Sequence, residues 1–198
     1  QMSQKMNLQR VETGRRSTLL VKVGIPPVYH GAQPDQRLQR RLEEFVSREV
    51  SGFNSALVLT GSTLEESYRA GAILGEMAVD RKVSVSVIGF RALLSVYKSS
   101  FRDPEARALL HDKFGYSDIV IFTNIGEGSY AAWSDIRDVT WFRGIVKQRA
   151  SMKKKTVFCV ERKFKPAQLE SLLGPENAVL LQKEYSSCVV LGAKNGED

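Results

Sequence analysis

Residues 61–68 have the position of a phosphate-binding loop but not its chemistry. Such a loop reads G-x-x-x-x-G-K-[ST], because glycines let backbone N–H groups wrap the phosphates, the lysine neutralises their charge and the hydroxyl holds magnesium. Gly61 follows the apolar run Ala56–Leu59 and matches the first glycine. An ungapped alignment places Glu66, Ser67 and Tyr68 at the second glycine, the lysine and the small hydroxyl residue. The sequence therefore predicts a nucleotide-type loop that does not hold a nucleotide.

The same segment also carries the signals that begin a helix. Thr63 and Glu66 form an S/T-x-x-E capping box, whose hydroxyl and carboxylate satisfy N–H groups at the start of a helix. Glu65 and Glu66 would then lie near the positive end of the helix dipole, where a phosphate would otherwise bind. We infer an anion site filled by the protein's own acidic residues. The alternative, a well-capped helix after a strand that was never a phosphate loop, stays open.

Length and composition indicate one globular domain. The chain has 198 residues, of which 42% are hydrophobic and 26% charged, enough to build a sizeable core. Residues 1–16 are polar and without periodicity, so we expect a mobile N-terminal arm, followed by a single domain over residues 17–198. No apolar stretch approaches the length of about 20 residues that spans a bilayer. The first residues lack the apolar core of a secretion signal, so we expect none. We therefore expect a cytoplasmic protein that does not contact membranes.

The residues that bind metals or form covalent intermediates are isolated from one another. Cys159 and Cys188 each lie in an apolar run, which favours reduced core thiols over a disulfide framework or a zinc site. His30 and His111 have no Cys or His neighbours in the sequence. We expect no metal site, no cofactor and no catalytic residues.

The net charge of +7 favours contact with a polyanion. Nucleic acid is the first candidate, although basic runs between a helix and a strand are often only solvated faces. The excess of positive charge is clustered at Arg37, Arg40 and Arg41, at Lys147, Arg149, Lys153, Lys154 and Lys155, and at Arg162, Lys163 and Lys165.

Apolar runs alternate with amphipathic segments along most of the chain. Strands are predicted at residues 56–60, 83–88, 119–122, 156–160 and 188–191. Helices are predicted at residues 64–79, 91–100, 104–111, 131–150 and 166–173. Strands buried on both faces and separated by helices are typical of a parallel sheet, so we predict a three-layer α/β fold.

The order of these short motifs resembles the AAA+ core of bacterial replicative helicase loaders of the DnaC and DnaI type, and of the related IstB transposition helper ATPases. The resemblance extends from about Leu19 to Leu191 and depends on the ordered set, since no single motif is specific. Its parts are Gly24–Pro27 before the core, residues 83–101 as the second strand and its helix, residues 117–126 as a Walker B strand, and residues 156–160 and 166–174 as the sensor strand and the helix beyond it. It implies a P-loop-like fold.

The departures from this family fall on its catalytic residues. Thr123 and Asn124 replace the two Walker B acids, which would hold magnesium and polarise the attacking water. The sensor asparagine aligns near Lys163, and residues 175–180 contain no arginine where the family carries one. We therefore predict a pseudo-ATPase with a degenerate nucleotide site.

The resemblance also implies a path for single-stranded DNA. Lys98, Phe101 and Arg102 match the basic and aromatic position after the second strand, while Tyr130 and Trp133 resemble a second contact point. Bases can stack on such aromatic faces while cations follow the phosphates. The alternative is that these aromatic side chains only pack within the protein.

The function expected from the resemblance is a non-catalytic, helicase-loader-like protein of DNA replication or of a mobile element. It would act through contacts with a replicative helicase, a loader or its own copies, as a homo- or hetero-oligomer, and through single-stranded DNA. Two alternatives stay open: an active ATPase helper of helicase loading or transposition with unorthodox site residues, and a structural subunit whose basic face binds an acidic protein surface.

Overall fold

Five parallel strands form one sheet in the computed structural model, which describes residues 13–50, 55–126, 136–161, 166–178 and 187–190. The strands are β1 (Ala56–Gly61), β2 (Val85–Gly89), β3 (Ile119–Ile125), β4 (Lys155–Glu161) and β5 (Ser187–Val190). Their order across the sheet is β2-β3-β4-β1-β5. Every neighbouring pair of strands is parallel. In the centre of the sheet, Val157 of β4 lies between Leu57 of β1 and Ile121 of β3. The predicted α/β fold with a parallel sheet is confirmed.

Helices cover both faces of the sheet and connect its strands. They are α1 (residues 13–22), α2 (Gln36–Ser47), α3 (Leu64–Asp80), α4 (Phe90–Ser100), α5 (Pro104–Leu109), α6 (Ile136–Ser151), α7 (Pro166–Leu173) and α8 (Pro175–Ala178). A 3-10 turn spans Pro27–Tyr29 and a π-helical segment spans Leu110–Gly115.

Alternating strand residues supply the two halves of the core. Leu57, Ile121 and Cys159 are buried against α1, α2 and α3 on one face. Val58 and Phe158, offset by one position, are buried against α4, α6 and α7 on the other. Side chains alternate across a strand, so a strand buried on both sides needs apolar residues throughout. This explains why the strands read as continuous apolar runs and why the fold has three layers.

Helix α1 begins inside the segment that we assigned to a mobile arm. Residues 13–16 are helical, and the Arg16 guanidinium pairs with Glu76 and with Asp80, at 2.8 Å in each case. The Glu76 carboxylate, which is buried, also accepts a bond from the N–H of Gly31 at 2.8 Å. These contacts hold the N-terminal segment against α3. The rest of the predicted arm, residues 1–12, lies outside the described residues.

Gly71 allows α3 to pack closely on the sheet. A Cβ placed there would lie 2.6 Å from the Cys159 Sγ and 3.1 Å from the Ile121 Cγ2. We expect Gly71→Ala to lower the free energy of unfolding by about 1–3 kcal/mol, because the overpacking outweighs the gain in helix propensity. Gly144 in α6 is the matched control, since a Cβ at that position would meet nothing within 4 Å; Gly144→Ala should stabilise by about 0.5–1 kcal/mol. Urea denaturation measures both, and equal effects would contradict the close approach at Gly71.

Candidate functional site

The loop after β1 is too short to wrap a phosphate in the way its motif would require. Only Ser62 and Thr63 separate Gly61 from the first residue of α3, Leu64. A Cβ at Gly61 would lie 2.6 Å from the Ser67 N and 2.7 Å from the Thr63 O, so the chain turns tightly at the glycine. Thr63 is the N-cap of α3, and its Oγ1 accepts a bond from the Glu66 N–H at 3.1 Å. The predicted helix start is confirmed.

The Glu66 carboxylate accepts bonds from both donors of Ser62 in this loop. Its Oε2 accepts a bond from the Ser62 N–H at 2.8 Å and a second, short bond from the Ser62 hydroxyl. The carboxylate thus reaches one residue further back than a standard capping box, in which it would bond the N-cap N–H. The Ser62 hydroxyl, followed by the Ser62 N–H, lowers the pKa of Glu66 below its ordinary value. An ionised carboxylate therefore lies at the positive end of the α3 dipole.

Glu66→Gln should lower the free energy of unfolding by about 0.5–1 kcal/mol at pH 7, because the charged acceptor of the loop is lost. A carboxyl whose folded-state pKa lies below its unfolded value of about 4.3 contributes stability above that unfolded value and loses it as the pH falls through the folded pKa. The difference between native protein and variant should therefore shrink on acidification below about pH 4. Urea denaturation across that range checks this, and Glu65→Gln, which removes a charge from the same turn without a bond to Ser62, should cost less.

Ser67 and Tyr68 stand where the phosphate-binding lysine and the magnesium-binding hydroxyl were aligned, and both bond to groups within the protein. Ser67 is fully buried, and its hydroxyl donates to the Leu64 carbonyl at 2.9 Å. Tyr68 packs edge-to-face on Tyr29, with ring centroids 4.8 Å apart, and donates to the Gly24 carbonyl at 3.4 Å. Burial raises the pKa of Tyr68 to about 12. Neither side chain presents a cation or a free hydroxyl to the loop.

An open cleft of about 440 Å³ joins this helix start to the ends of β2 and β3. Its walls include Tyr29, Glu65 and Tyr68 on one side and Thr123 and Asn124 on the other. Among the lining residues that the structure describes there is one carboxylate, that of Glu65, and no lysine or arginine. The cleft is therefore weakly acidic, which opposes a polyphosphate.

The end of β3 carries neutral side chains where the Walker B acids were aligned. Thr123 is fully buried, and within the described parts of the chain its Oγ1 has no hydrogen-bond partner. Asn124 has a φ of 57°, a left-handed conformation that non-glycine residues adopt rarely. Both residues line the same cleft as Glu65 and Tyr68.

Glu161 is a residue of this edge that we did not single out from the sequence. It ends β4, in parallel register with Gly61, so a further acidic residue lies beside the loop. The sequence pattern that could have identified Glu161 is a charged residue directly at the end of the apolar run of β4. Lys163, which we aligned with the sensor asparagine, lies outside the described residues.

The predicted DNA-contact residues of α4 lie at a helix corner on the carboxyl side of the sheet. Phe90, at the start of α4, packs on Phe142 of α6 at 5.0 Å, while Lys98, near its end, pairs with Asp138 at the start of α6 at 2.9 Å. Both contacts join α4 to the first half of α6. Phe142 also packs on Phe122 in the middle of β3. Helix α4 begins directly after the carboxyl end of β2, and Lys98 pairs with the first turn of α6, which follows β3. The end of α4 therefore lies on the carboxyl side of the sheet.

Aromatic side chains are stacked at this corner. The Phe101 side chain is 66% exposed and lies edge-to-face against Tyr97, with centroids 5.0 Å apart. Tyr97 in turn stacks on Trp141 of α6 at 4.0 Å and 15°. Arg102 is exposed next to Phe101. Sequence reasoning missed Tyr97 and Trp141, because their contact joins two helices far apart in the chain. Tyr130 and Trp133 lie outside the described residues.

The predicted lysine cluster lies at the opposite edge of the sheet. Lys153 and Lys154 precede β4 and Lys155 begins it, whereas the α4 corner lies past the carboxyl ends of the strands. A strand of 7 residues separates the two edges by about 20 Å. The structure therefore does not bring Lys98, Phe101 and Arg102 together with the lysine cluster.

Two of the basic residues in the predicted clusters are not on the surface. Arg149 is fully buried, and Lys155 is only 9% exposed. Arg149 bonds backbone carbonyls inside the protein, including those of Phe114 and Ser117, so it is not available to a polyanion. Lys154 pairs with Asp118 at 2.6 Å, which leaves Lys153 as the exposed cation of this trio.

Comparison with known proteins shows the fold. No protein-family model and no curated protein matches the sequence. Among solved structures, the chain is similar to a DnaC helicase loader, with 16% identity and a TM-score of 0.58 over 83% of this chain and 99% of that one. It is similar to DnaI, with 18% identity and a TM-score of 0.54 over 83% and 86%. It is also similar to the replication initiator DnaA bound to AMPPCP and single-stranded DNA, with 13% identity and a TM-score of 0.63 over 86% and 51%.

The chain thus spans about half the length of the DnaA structure and nearly all of the DnaC loader. At these identities the likeness concerns the fold alone, which is similar to that of the DnaA, DnaC and DnaI structures. The predicted resemblance is confirmed at that level. Within the described residues, no helix has both the length and the apolar character that crossing a membrane requires.

Proposed function

We propose that this protein is a helicase-loader-like pseudo-AAA+ protein of DNA replication or of a mobile element, which does not bind or hydrolyse ATP. It acts through contacts with a replicative helicase, a loader or its own copies, and binds single-stranded DNA at the α4 corner. It is not an enzyme and uses no cofactor.

The observation that carries this proposal is the position of the Glu66 carboxylate. The start of α3 is where the fold would bind the phosphates of a nucleotide, since N–H groups and the helix dipole both favour an anion there. Glu66 already supplies that anion, at 2.8 Å from the Ser62 N–H. A triphosphate would have to displace it and then lie beside both Glu65 and Glu66, with like-charge repulsion. Among the described residues that line the cleft, no lysine or arginine compensates for that repulsion.

The end of β3 supports the absence of hydrolysis. ATP hydrolysis on this fold needs a carboxylate for the magnesium ion and another group that positions the attacking water. Thr123 is buried and Asn124 is neutral, so neither side chain supplies a negative charge. ATP hydrolysis would thus lack both the carboxylate that binds magnesium and the group that positions the attacking water.

The similar structures support the binding half of the proposal. One is described as a helicase loader, and another holds single-stranded DNA. The net charge of +7 and the exposed Phe101 beside Arg102 suit a strand whose bases stack and whose phosphates need cations. Protein contact fits a fold whose active members share sites between neighbouring copies.

Titration with labelled ATP and Mg²⁺, read by equilibrium binding, tests the non-catalytic half. We expect no binding that excess unlabelled ATP displaces, and no phosphate release above buffer. Displaceable binding by the native chain would overturn the proposal. Glu66→Ala is the informative companion, because a gain of ATP binding in that variant would assign the block to this carboxylate. Co-sedimentation with the replicative helicase of the source cell tests the partner.

A further inference from the structure

A second cavity, of about 230 Å³, lies at the amino ends of β3 and β4. It is on the edge of the sheet opposite the loop described above, about 20 Å away along the strands. Four basic residues line it: Arg48, Lys153, Lys154 and Lys155. Among the described residues that line it, the one carboxylate is that of Asp118.

Asp118 is already engaged by other groups. It accepts bonds from the Lys154 Nζ at 2.6 Å and from the Ser84 hydroxyl at 2.6 Å. Lys154 and Asp118 therefore offset each other, and the positive charge that faces the cavity comes from Arg48, Lys153 and Lys155.

Arg48 and Lys155 lie on the same aromatic ring. The Arg48 guanidinium is 4.8 Å and the Lys155 Nζ 5.6 Å from the centroid of Phe45. The Lys155 Nζ donates to the Val46 carbonyl in the last turn of α2 at 2.7 Å, and Arg48 is the C-cap of that helix. The pKa of Lys155 is lowered, first by burial and then by the charge of Arg48. Glu44 is the carboxylate that acts on Arg48 from within α2.

Lys153 adds a third cation in an unusual backbone conformation. Its φ is 55°, in the left-handed region where a lysine is held only at a cost of about 1 kcal/mol or more. Its side chain is exposed, so packing does not explain why a lysine stands at a position that suits glycine.

We propose that this cavity binds a phosphate group through Arg48, Lys153 and Lys155. The cations that line this partly buried cavity repel one another. An anion that accepts several charge-assisted hydrogen bonds from them would offset that repulsion. The volume is below the roughly 300–1,000 Å³ of cavities that enclose a whole drug-sized ligand, which suits a single phosphate group. The group is either an exposed phosphate of a nucleic-acid strand or that of a small phosphate compound. The proposal is independent of the function proposed above.

The test compares two lysines in the same conformation. Lys82 has a φ of 59° and is exposed, but it does not line the cavity. Lys153→Gly and Lys82→Gly each remove one charge and one left-handed lysine, and neither should weaken the fold. Melting curves confirm folding. Isothermal titration calorimetry then measures inorganic phosphate, pyrophosphate and an oligothymidylate with each variant.

We expect Lys153→Gly to weaken phosphate binding about tenfold, the loss of one charge-assisted bond, while Lys82→Gly binds as the native protein does. A parallel loss for the oligothymidylate would assign the phosphate to a nucleic-acid strand, and a loss confined to inorganic phosphate and pyrophosphate would assign it to a small compound. No binding by the native chain, or the same loss in both variants, would overturn the proposal.

Discussion

Arg149→Lys should lower the free energy of unfolding by about 3–5 kcal/mol, which is a large part of the stability of a typical domain. The guanidinium is fully buried and donates to the carbonyls of Phe114 at 3.0 Å, Gly115 at 3.3 Å and Ser117 at 3.0 Å. It also donates to the Thr156 hydroxyl at 3.1 Å and to the Lys155 carbonyl. One side chain thus joins α6 to the π-helical segment and to the amino ends of β3 and β4.

Lysine cannot replace this planar fork. Its ammonium has three donors on one nitrogen, so several of the buried acceptors would lose their bonds, at about 1–3 kcal/mol for each. Burial lowers the pKa of Arg149 to about 10, which still leaves the guanidinium charged at pH 7.

Urea denaturation at pH 7 measures the effect, with Arg143→Lys as the control on the same helix. Arg143 donates to the Leu172 carbonyl at 3.0 Å and to the Ser171 carbonyl at 2.7 Å but is only half-buried. Its replacement should cost about 1 kcal/mol or less. Equal losses in the two variants would show that Arg149 does not have the proposed anchoring role.

Local pattern was sufficient to predict the sheet. Strands such as β1 and β4 are buried on both faces, so their apolar runs identify them without any tertiary information. The start of α3 was equally accessible, because Thr63 and Glu66 signal a helix start through bonds within one turn. The departures at the loop and Walker B positions stay a prediction, because they depend on which residues are aligned with the family's motifs.

What the sequence could not provide is the partner of each charged or aromatic side chain. Arg149 counted as one of a basic cluster, but its acceptors are carbonyls brought near by the fold, and that part of the prediction was wrong. The same holds for the contact of α4 with α6, in which Tyr97 stacks on Trp141. A cluster of basic residues in the sequence does not tell which of them are exposed, because the burial of a cation depends on contacts with residues distant in the chain.

Phe101→Ala should weaken binding of single-stranded DNA by about 5- to 150-fold, equivalent to about 1–3 kcal/mol for one stacked base. This prediction depends on the proposed DNA contact at the α4 corner. Phe101 is 66% exposed and touches Tyr97 by its edge, so a base can lie against the ring without moving the core. Because little buried area is lost, the free energy of unfolding of the variant should lie within about 0.5 kcal/mol of that of the native protein.

Fluorescence anisotropy with a labelled oligothymidylate, at several salt concentrations, measures this loss. Phe101→Tyr keeps a ring and should bind nearly as the native protein does. Tyr116→Ala removes an aromatic side chain that is 48% exposed and contacts His111 instead of the α4 corner, so it should leave DNA affinity unchanged. Arg102→Gln should reduce the slope of log affinity against log salt by about 1, because each phosphate contact releases about one counterion. If the Phe101→Ala loss is absent or is matched by Tyr116→Ala, the α4 corner is not the DNA-binding surface.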